Sequence, residues 1–171
     1  MQTLKAKIRH VPDFPKAGIL FYDITTLLRD PAGFKLTIDS LASPYADRRV
    51  DLVVGIESRG FILGAAVADR LGAGFAPIRK PGKLPATTVT ESFQLEYGSD
   101  SLEMHRDAME PGHRVLIVDD VLATGGTAAA AASLVRQCGG DLVGLAFLIE
   151  LLALKGRSKL VNEAVYTVLQ Y

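Results

Sequence analysis

Apolar segments alternate with segments of helical periodicity along most of the chain. Four segments are apolar apart from charged residues at their ends: 51–57, 74–79, 114–120 and 141–150. Strands with this pattern are typically buried on both faces of a parallel sheet. The segments at 59–72 and 126–140 are rich in helix formers and end in glycines, which favour left-handed helix caps. The order of strand, helix and strand predicts βαβ units, and therefore an α/β fold around a mainly parallel sheet.

Two regions depart from this pattern. Residues 11–25 contain two prolines and three aromatic residues without regular periodicity, and we expect them to form a cap over the edge of the sheet. Residues 80–100 are rich in proline, threonine and serine, and their first apolar alternation is SFQLEYG at 92–98, where we expect the loop to lead into a strand. A loop of this length inside a compact domain usually works as a lid or a binding segment. We predict a single domain over 1–171, with a cap in 1–30 and a mobile loop in 80–100.

Chain length and charge narrow the possible classes. A chain of 171 residues can bury a hydrophobic core without help from metals or disulfides. The 19 basic and 19 acidic residues cancel, so no overall charge attracts the chain to nucleic acid or to a membrane surface. We expect neither partner, and any anionic ligand has to be held by a local cluster of donors.

Cysteine use and hydropathy indicate the compartment. Cys138 is the only cysteine, which excludes an intrachain disulfide and suits a reducing cytoplasm. Its alanine-rich surroundings favour a small core residue over a reactive thiol. The first ten residues lack the apolar stretch of a signal peptide, and no apolar segment reaches the roughly 18 residues of a membrane span. We therefore expect a soluble, cytoplasmic protein.

The segment VLIVDDVLATGGT at 115–127 is the strongest functional signal. Asp119 and Asp120 follow an apolar strand, and ligands of open α/β sheets bind at the carboxyl ends of the strands. Adjacent carboxylates repel each other, so the pair suits a sugar diol with a divalent cation nearby. The ATGGT turn then opens a helix, whose first N–H groups have no internal partners and attract an anion. The segment indicates acids for a ribose and a binding turn for its phosphate.

The spacing alone leaves other interpretations of this segment open. Paired aspartates at a strand end also occur on solvated edges and in the phosphoacceptor cluster of receiver domains. Two glycines can form an ordinary strand-to-helix turn. A Walker loop is excluded because no GK[ST] follows, and the Rossmann spacing G-x-G-x-x-G is absent. The spacing favours a phosphate site and does not name the ligand.

The same segment resembles the phosphoribosyl pyrophosphate signature of type I phosphoribosyltransferases, which some regulators share. Six further segments resemble those of the adenine phosphoribosyltransferase family in the same order: PDFPKAGILFYDIT, GIESRGFILG, RKPGKLP, SFQLEYGSD, DAMEPGHRV and IELLALKGRSKL. The resemblance implies the type I phosphoribosyltransferase fold. In that fold helices flank a central twisted, mainly parallel sheet, with a small N-terminal hood and a mobile catalytic loop.

The resemblance also implies an activity. Members of the family work in purine salvage and transfer the 5-phosphoribosyl group of phosphoribosyl pyrophosphate to N9 of adenine, forming AMP and pyrophosphate. The cofactor is Mg2+, held mainly through the substrate, so no direct protein ligand is expected. The resemblance further implies a homodimer. Two alternatives stay open, namely a phosphoribosyltransferase for a 6-oxopurine and a regulator that binds phosphoribosyl pyrophosphate without turning it over.

The resemblance assigns residues to the phosphoribosyl pyrophosphate site. Asp119 and Asp120 would bind the ribose hydroxyls. The residues that would hold the 5-phosphate belong to the ATGGT turn: Ala123, Thr124, Gly125, Gly126 and Thr127. Arg59 in ESRG would contact the pyrophosphate, and a non-proline cis peptide bond is expected near Glu57–Ser58.

The segment at 80–100 and its neighbour would complete the catalytic site. Lys80 and Lys83 would neutralise the leaving pyrophosphate, and Arg79 would reach the site of the partner subunit. Glu96 resembles the family's catalytic glutamate, which handles a proton of the purine. Its neighbour Tyr97 would contact the substrate.

The resemblance places the base in the N-terminal cap. Adenine would lie between Phe21 and Leu151, and backbone groups near Leu20 would read its exocyclic amine. Many members of the family have arginine directly after the phenylalanine, whereas this chain has Tyr22, which keeps the 6-oxopurine alternative open. The three histidines match no role in the family, and we expect them to be surface or structural residues.

Overall fold

The computed structural model describes residues 2–94 and 98–171. The helices are α1 (Gln2–Lys5), α2 (Thr25–Leu28), α3 (Pro31–Ala42), α4 (Arg59–Leu71) and α5 (Gly126–Gln137). The strands are β1 (Arg9–Pro12), β2 (Leu20–Asp23), β3 (Leu52–Ile56), β4 (Gly74–Ile78), β5 (Thr88–Gln94), β6 (Ser99–His105), β7 (Arg114–Leu122), β8 (Asp141–Glu150) and β9 (Val165–Gln170). Short 3₁₀ turns span Ser43–Tyr45, Leu152–Leu154 and Gly156–Lys159. None of the helices in the described ranges is long and apolar enough to span a bilayer.

A parallel sheet of five strands forms the centre of the molecule, in the order β4-β3-β7-β8-β9. Four of its strands fall on the four apolar segments, so the predicted α/β fold is confirmed. The apolar pattern does not predict β9, because Tyr166, Thr167 and Gln170 interrupt its aliphatic residues. Such a mixed composition is typical of an edge strand, which is only partly covered.

Alternate side chains of β7 enter two separate hydrophobic layers. Leu116 and Val118 pack in the layer that includes residues of α1 to α4, whereas Val115 and Ile117 pack in the layer of α5 and the β5–β6 hairpin. All four are 0% exposed. Both faces of the central sheet are therefore covered, which explains why its inner strands are apolar throughout.

The N-terminal region is more regular than the sequence predicts. β1 and β2 pair antiparallel, so much of the irregular cap expected over 11–25 is a hairpin, which we call the hood (residues 9–23). Two prolines hide this pattern. Pro12 ends β1 and Pro15 lies between the strands, and at such positions a hairpin tolerates a residue that lacks an N–H group.

The segment at 80–100 also differs from the expected loop. β5 begins at Thr88 and pairs antiparallel with β6, so the strand starts before the predicted SFQLEYG. Threonine and valine favour strands, and Val89 is buried while Phe93 is half-buried in the α5 layer. A polar composition was therefore a poor sign of a loop here. The predicted mobility stays a prediction, because residues 95–97 lie outside the described residues.

Side-chain and backbone bonds fasten the β5–β6 hairpin to its neighbours. Glu91 Oε2 accepts hydrogen bonds from Ser133 Oγ at 3.0 Å and from Gln137 Nε2 at 2.5 Å, both on α5. Arg79, which directly follows β4, and Glu103 of β6 exchange backbone hydrogen bonds of 2.9 and 2.8 Å. The hairpin is thus held against the helix that begins at the ATGGT turn.

Candidate functional site

A cleft of about 500 Å³ opens at the carboxyl edge of the central sheet. Its walls come from the hood, the β3–α4 turn, the end of β7 with the turn that follows, and the segment after β8. Parallel strands bring their carboxyl ends to one edge, so residues far apart in sequence meet here. The predicted site residues that line the cleft are Leu20, Phe21, Arg59, Asp119, Asp120, Ala123, Thr127 and Leu151.

The two adjacent aspartates lie near the carboxyl end of β7, in the wall of the cleft. Asp120 is 5% exposed, and Asp119 Oδ1 accepts a hydrogen bond from the Asp120 backbone N at 2.9 Å. Burial raises the pKa of the Asp119 carboxyl well above its usual value, and the negative charge of Asp120 raises it further. The pair is electrostatically unfavourable by itself and suits a ligand that donates hydrogen bonds or brings a cation.

Arg59 balances part of this charge from the start of α4. Its Nε forms an ion pair with Asp120 Oδ2. Its Cζ lies 5.7 Å from the centroid of the Phe21 ring, a cation–π distance. The cis peptide bond expected from the resemblance is present between Glu57 and Ser58, just before this arginine. One guanidinium therefore connects the acidic end of β7 with the hood.

The close approach of α4 to β7 depends on Gly60, the residue after Arg59. A Cβ at this position would lie 2.7 Å from Asp119 Oδ1 and 3.1 Å from the Val118 carbonyl O. The first of these distances is shorter than real side-chain contacts allow, so a larger residue would displace the helix or the acid. The close packing of α4 against β7 therefore explains why the residue after Arg59 in ESRG is a glycine.

The ATGGT turn leads directly into α5, as predicted. Gly125 adopts a φ of +80°, and a Cβ there would lie 2.2 Å from the Gly156 carbonyl O. Ala123 and Thr127 line the cleft from the two ends of the turn. The other two predicted residues of the turn, Thr124 and Gly126, lie between Ala123 and Thr127 in the chain. The first N–H groups of α5 have no partner within the helix, so an anion can be bound there.

Leu151 follows β8, and a buried acid fixes the chain beside it. Glu150 is 3% exposed and accepts hydrogen bonds from Arg157 Nε at 2.7 Å and Nη2 at 2.9 Å. Thr167 Oγ1 and Gln170 Nε2 on β9 donate to it at 3.0 and 3.2 Å. These bonds, that of Arg157 above all, hold the pKa of the Glu150 carboxyl below its usual value. Glu150 is therefore structural and positions the segment that carries Leu151.

The three predicted basic residues of the 79–83 segment do not line the cleft with Arg59. Arg79 Nη2 and Nε donate to the two carboxylate oxygens of Glu57 at 3.1 and 3.2 Å. Lys80 forms an ion pair with Asp100 Oδ2, and Lys83 is exposed. None of these three cations is among the described residues that line the cleft. Their assignment stays a prediction.

Glu96 and Tyr97 lie outside the described residues, so their roles remain implied by the resemblance. Over 2–94 and 98–171, no group of three or more His, Cys, Asp or Glu side chains could hold a metal ion. Asp119 and Asp120 offer two carboxylates, fewer than the octahedral set of oxygens that magnesium takes. A magnesium ion beside them would need further oxygens from a substrate or from water.

Several residues around the cleft are absent from the sequence prediction. Ile19 lines it beside the predicted residues of the hood, and Leu154 lines it from the segment after β8. Lys159 Nζ lies 3.8 Å from the place where a Cβ of Gly126 would be, next to the first turn of α5. Leu154 and Lys159 belong to 3₁₀ turns, whose placement no sequence periodicity reveals.

Cys138, His105 and His113 make contacts that are typical of packing and surface residues. Cys138 is half-buried and packs against the α5 layer, and burial raises the pKa of its thiol. His105 Nε2 accepts a hydrogen bond from Ala86 N at 3.4 Å, and His113 Nδ1 accepts one from Glu110 N at 3.3 Å. These contacts agree with the interpretation of the cysteine and the histidines as packing and surface residues.

Comparison with known proteins gives close relatives in sequence and in fold. The phosphoribosyl transferase domain model matches residues 23–170. The adenine phosphoribosyltransferase of Solibacter usitatus is 61% identical over 171 residues, which cover 100% of this chain and 99% of that protein. The crystal structure of the Rhodothermus marinus adenine phosphoribosyltransferase is 57% identical, with a TM-score of 0.95 over 99% of this chain and 97% of that one. The Saccharomyces cerevisiae enzyme, solved with adenine and an iminoaltritol bisphosphate, is 44% identical, with a TM-score of 0.92 over 98% and 97%.

Asp119→Asn should stabilise the protein at neutral pH. The raised pKa means that the folded state favours the protonated carboxyl, so ionisation lowers stability as the pH rises from the ordinary carboxyl range through the folded-state pKa. Asparagine stays neutral, and its amide oxygen can still accept the bond from Asp120 N. We expect the free energy of unfolding to increase by about 1 kcal/mol at neutral pH, with a gain that shrinks at acidic pH.

Urea unfolding followed by circular dichroism measures this difference. Asp107→Asn, at an exposed acid, is the matched control and should leave the stability unchanged. A lower stability of the Asp119→Asn protein at neutral pH would contradict the view that this buried charge is destabilising.

Proposed function

Because the chain belongs to the adenine phosphoribosyltransferase family, we propose that it transfers the 5-phosphoribosyl group of phosphoribosyl pyrophosphate to N9 of adenine. The products are AMP and pyrophosphate. One observation carries the proposal: a single cleft joins Phe21 and Leu151, which suit a flat base, to Asp119 and Asp120, which suit a ribose. Beside them, the turn before α5 adds backbone N–H groups that donate hydrogen bonds to a phosphate.

We assign the purine to the space between Phe21 and Leu151. An aromatic and an aliphatic face bind a flat base by dispersion and by burial of apolar area. Backbone groups near Leu20 would read the exocyclic amine, because a carbonyl accepts from an amine and repels a 6-oxo oxygen. The yeast relative was solved with adenine, which supports the choice of base.

We assign the ribose hydroxyls to Asp119 and Asp120. Hydroxyl donors would relieve the electrostatic cost that the raised pKa of Asp119 reflects. Magnesium, when bound, supplies positive charge for the phosphates, and most of its oxygens would come from the substrate and water. Arg59 would contact the pyrophosphate, and the N–H groups at the start of α5 would hold the 5-phosphate.

During transfer, the bond from C1 of the ribose to a pyrophosphate oxygen breaks, and a bond from C1 to N9 of adenine forms. Positive charge develops on the ribose, and adenine loses the proton on N9. Glu96 would accept that proton, as the family's catalytic glutamate does. If the 80–100 segment closes over the cleft, it would also exclude water, which could otherwise hydrolyse the activated sugar.

Glu96→Gln should therefore slow the chemical step. We expect kcat to fall about 10²- to 10⁴-fold, the usual contribution of a general acid or base. The Kd for phosphoribosyl pyrophosphate, measured by calorimetry with magnesium present, should change little. Glu110→Gln, at an exposed acid, is the control. Equal losses of binding and turnover would make Glu96 a structural residue.

We further propose a homodimer in which Arg79 contributes to the partner's site. β4 is an edge strand of the sheet, and such edges are normally covered. Ile62 and Phe75 are large apolar residues that are 47% and 38% exposed. The Cζ of Arg79 lies 5.9 Å from the Phe61 ring, whose centroid is 6.2 Å from that of Phe75. A second copy of the chain would cover this apolar surface next to Arg79.

A mixing experiment tests the cross-subunit role of Arg79. The Arg79→Ala chain and the Asp119→Asn, Asp120→Asn chain should each be nearly inactive alone. If Arg79 acts across a dimer, refolding the two together should restore about a quarter of the sites, because half of the dimers are mixed and each has one complete site. No recovery from mixed dimers would place Arg79 in its own subunit's site, and a fully active monomer would exclude the role.

The base preference tests the proposed function itself. With phosphoribosyl pyrophosphate and magnesium, we expect kcat/KM for adenine to exceed that for hypoxanthine, guanine or xanthine by about 10²-fold or more. Nucleotide formation followed by chromatography measures this ratio. Preference for a 6-oxopurine would favour the alternative that Tyr22 keeps open. Tight binding of phosphoribosyl pyrophosphate without any turnover would instead indicate a regulator.

A further inference from the structure

An aromatic cluster joins the hood to the end of β9. The rings of Tyr22 and Tyr171 have centroids 4.3 Å apart, and His10 meets the two rings edge-on at 5.1 and 5.8 Å. The two edge-to-face contacts of His10 have the geometry that aromatic rings favour, and the planes of Tyr22 and Tyr171 are inclined at 44°. Tyr22 also lines the cleft, directly after Phe21 in the chain. The cluster therefore supports the part of the hood that forms one wall of the cleft.

Tyr171 is also fastened to the wall that carries Leu151. Its backbone N donates to the Glu150 carbonyl O at 3.0 Å, and its backbone O accepts from Leu152 N at 2.9 Å. These bonds hold the residues on either side of Leu151. Tyr171 thus contacts both neighbours of Leu151 through its main chain and contacts the hood through its ring.

The contact depends on the ring of Tyr171 and not on its hydroxyl. Lys5 Nζ lies 4.6 Å from the ring centroid and donates to the Gln170 carbonyl O at 2.5 Å, which fixes the ring from the side of α1. The hydroxyl is buried and has no hydrogen-bond partner among the described residues. A buried hydroxyl without a partner stabilises nothing, so phenylalanine would serve equally well here.

The hood needs such support because a two-stranded hairpin is marginally stable by itself. Its position relative to the sheet is set by the side chains on which it packs. A base held between two faces requires a fixed separation, since a gap of about 0.5–1 Å already loses a large part of the dispersion energy. A shifted hood would therefore weaken base binding while the acids of β7 stayed in place.

We infer that Tyr171 is a positioning residue for the base and sets the separation of Phe21 and Leu151. The inference rests on the proposed function. Tyr171 is not among the described residues that line the cleft, so it acts through Tyr22 and through the chain on either side of Leu151. Most of the phosphoribosyl half of the site is built on the end of β7 and the start of α5, and Arg59, which packs on Phe21, is its contact with the hood.

Tyr171→Leu tests the inference because it removes the ring and keeps apolar volume. We expect KM for adenine to rise about tenfold and KM for phosphoribosyl pyrophosphate to change less than about twofold. Tyr171→Phe should keep wild-type values. The matched control is Tyr166→Leu, which removes a half-buried ring from β9 and should leave both KM values unchanged. Equal increases for both substrates, or the same increase in the control, would overturn the inference.

A second variant and a second readout cover the case in which Tyr171→Leu folds poorly. His10→Ala removes an exposed member of the cluster and should raise KM for adenine about threefold, with KM for phosphoribosyl pyrophosphate unchanged. Amide hydrogen exchange of 9–11 and 20–23 should be faster in Tyr171→Leu than in Tyr166→Leu. If the wild-type chain turns over no purine, the proposed function fails and hydrogen exchange alone decides on Tyr171. Unchanged exchange in the hood would overturn the inference.

Discussion

The partial burial of two adjacent carboxylates at the end of β7 is the constraint on which the rest of the cleft depends. Asp119 and Asp120 repel each other in surroundings that water does not fully reach, and burial raises the pKa of Asp119. The fold balances this with Arg59, which approaches because Gly60 leaves room for α4 next to Asp119. The same arginine packs against Phe21 of the hood, so the charge at the sheet edge also helps to place the wall for the base. A ligand with hydroxyl donors and a cation would complete this balance.

The base side of the cleft is built differently, from segments that are far apart in sequence. The hood supplies Phe21, and the chain after β8 supplies Leu151. Neither segment is rigid by its own secondary structure, and each is held by contacts at a distance. Glu150 and Arg157 fix the second segment through partly buried hydrogen bonds, whereas aromatic packing around Tyr171 links both. Base recognition should therefore be more sensitive to remote substitutions than phosphate binding, which uses backbone N–H groups at a helix start.

Much of the fold could be predicted from the sequence because its central strands are covered on both faces and read as continuous apolar segments. The hood hairpin, the start of β5 and β9 could not, because strand pairing at an edge leaves a weak and partly polar pattern. Parallel strands place Arg59, Asp119 and Leu151 at one edge of the sheet, but of these three only Asp119 stood out by its position at a strand end, and the resemblance supplied Arg59 and Leu151. The local partners of Arg79 and Lys80, namely Glu57 and Asp100, were not predictable, since long side chains choose their partners only in the folded chain. Lys159 was missed because its 3₁₀ turn is placed by the Glu150 hydrogen bonds.

A crystal structure of the chain with AMP bound is the most direct measurement of how the cleft is used. We expect the purine between Phe21 and Leu151, the ribose hydroxyls on Asp119 and Asp120, and the phosphate on the N–H groups at the start of α5. A purine bound away from the hood, or a ribose turned away from the two aspartates, would contradict this assignment of the cleft.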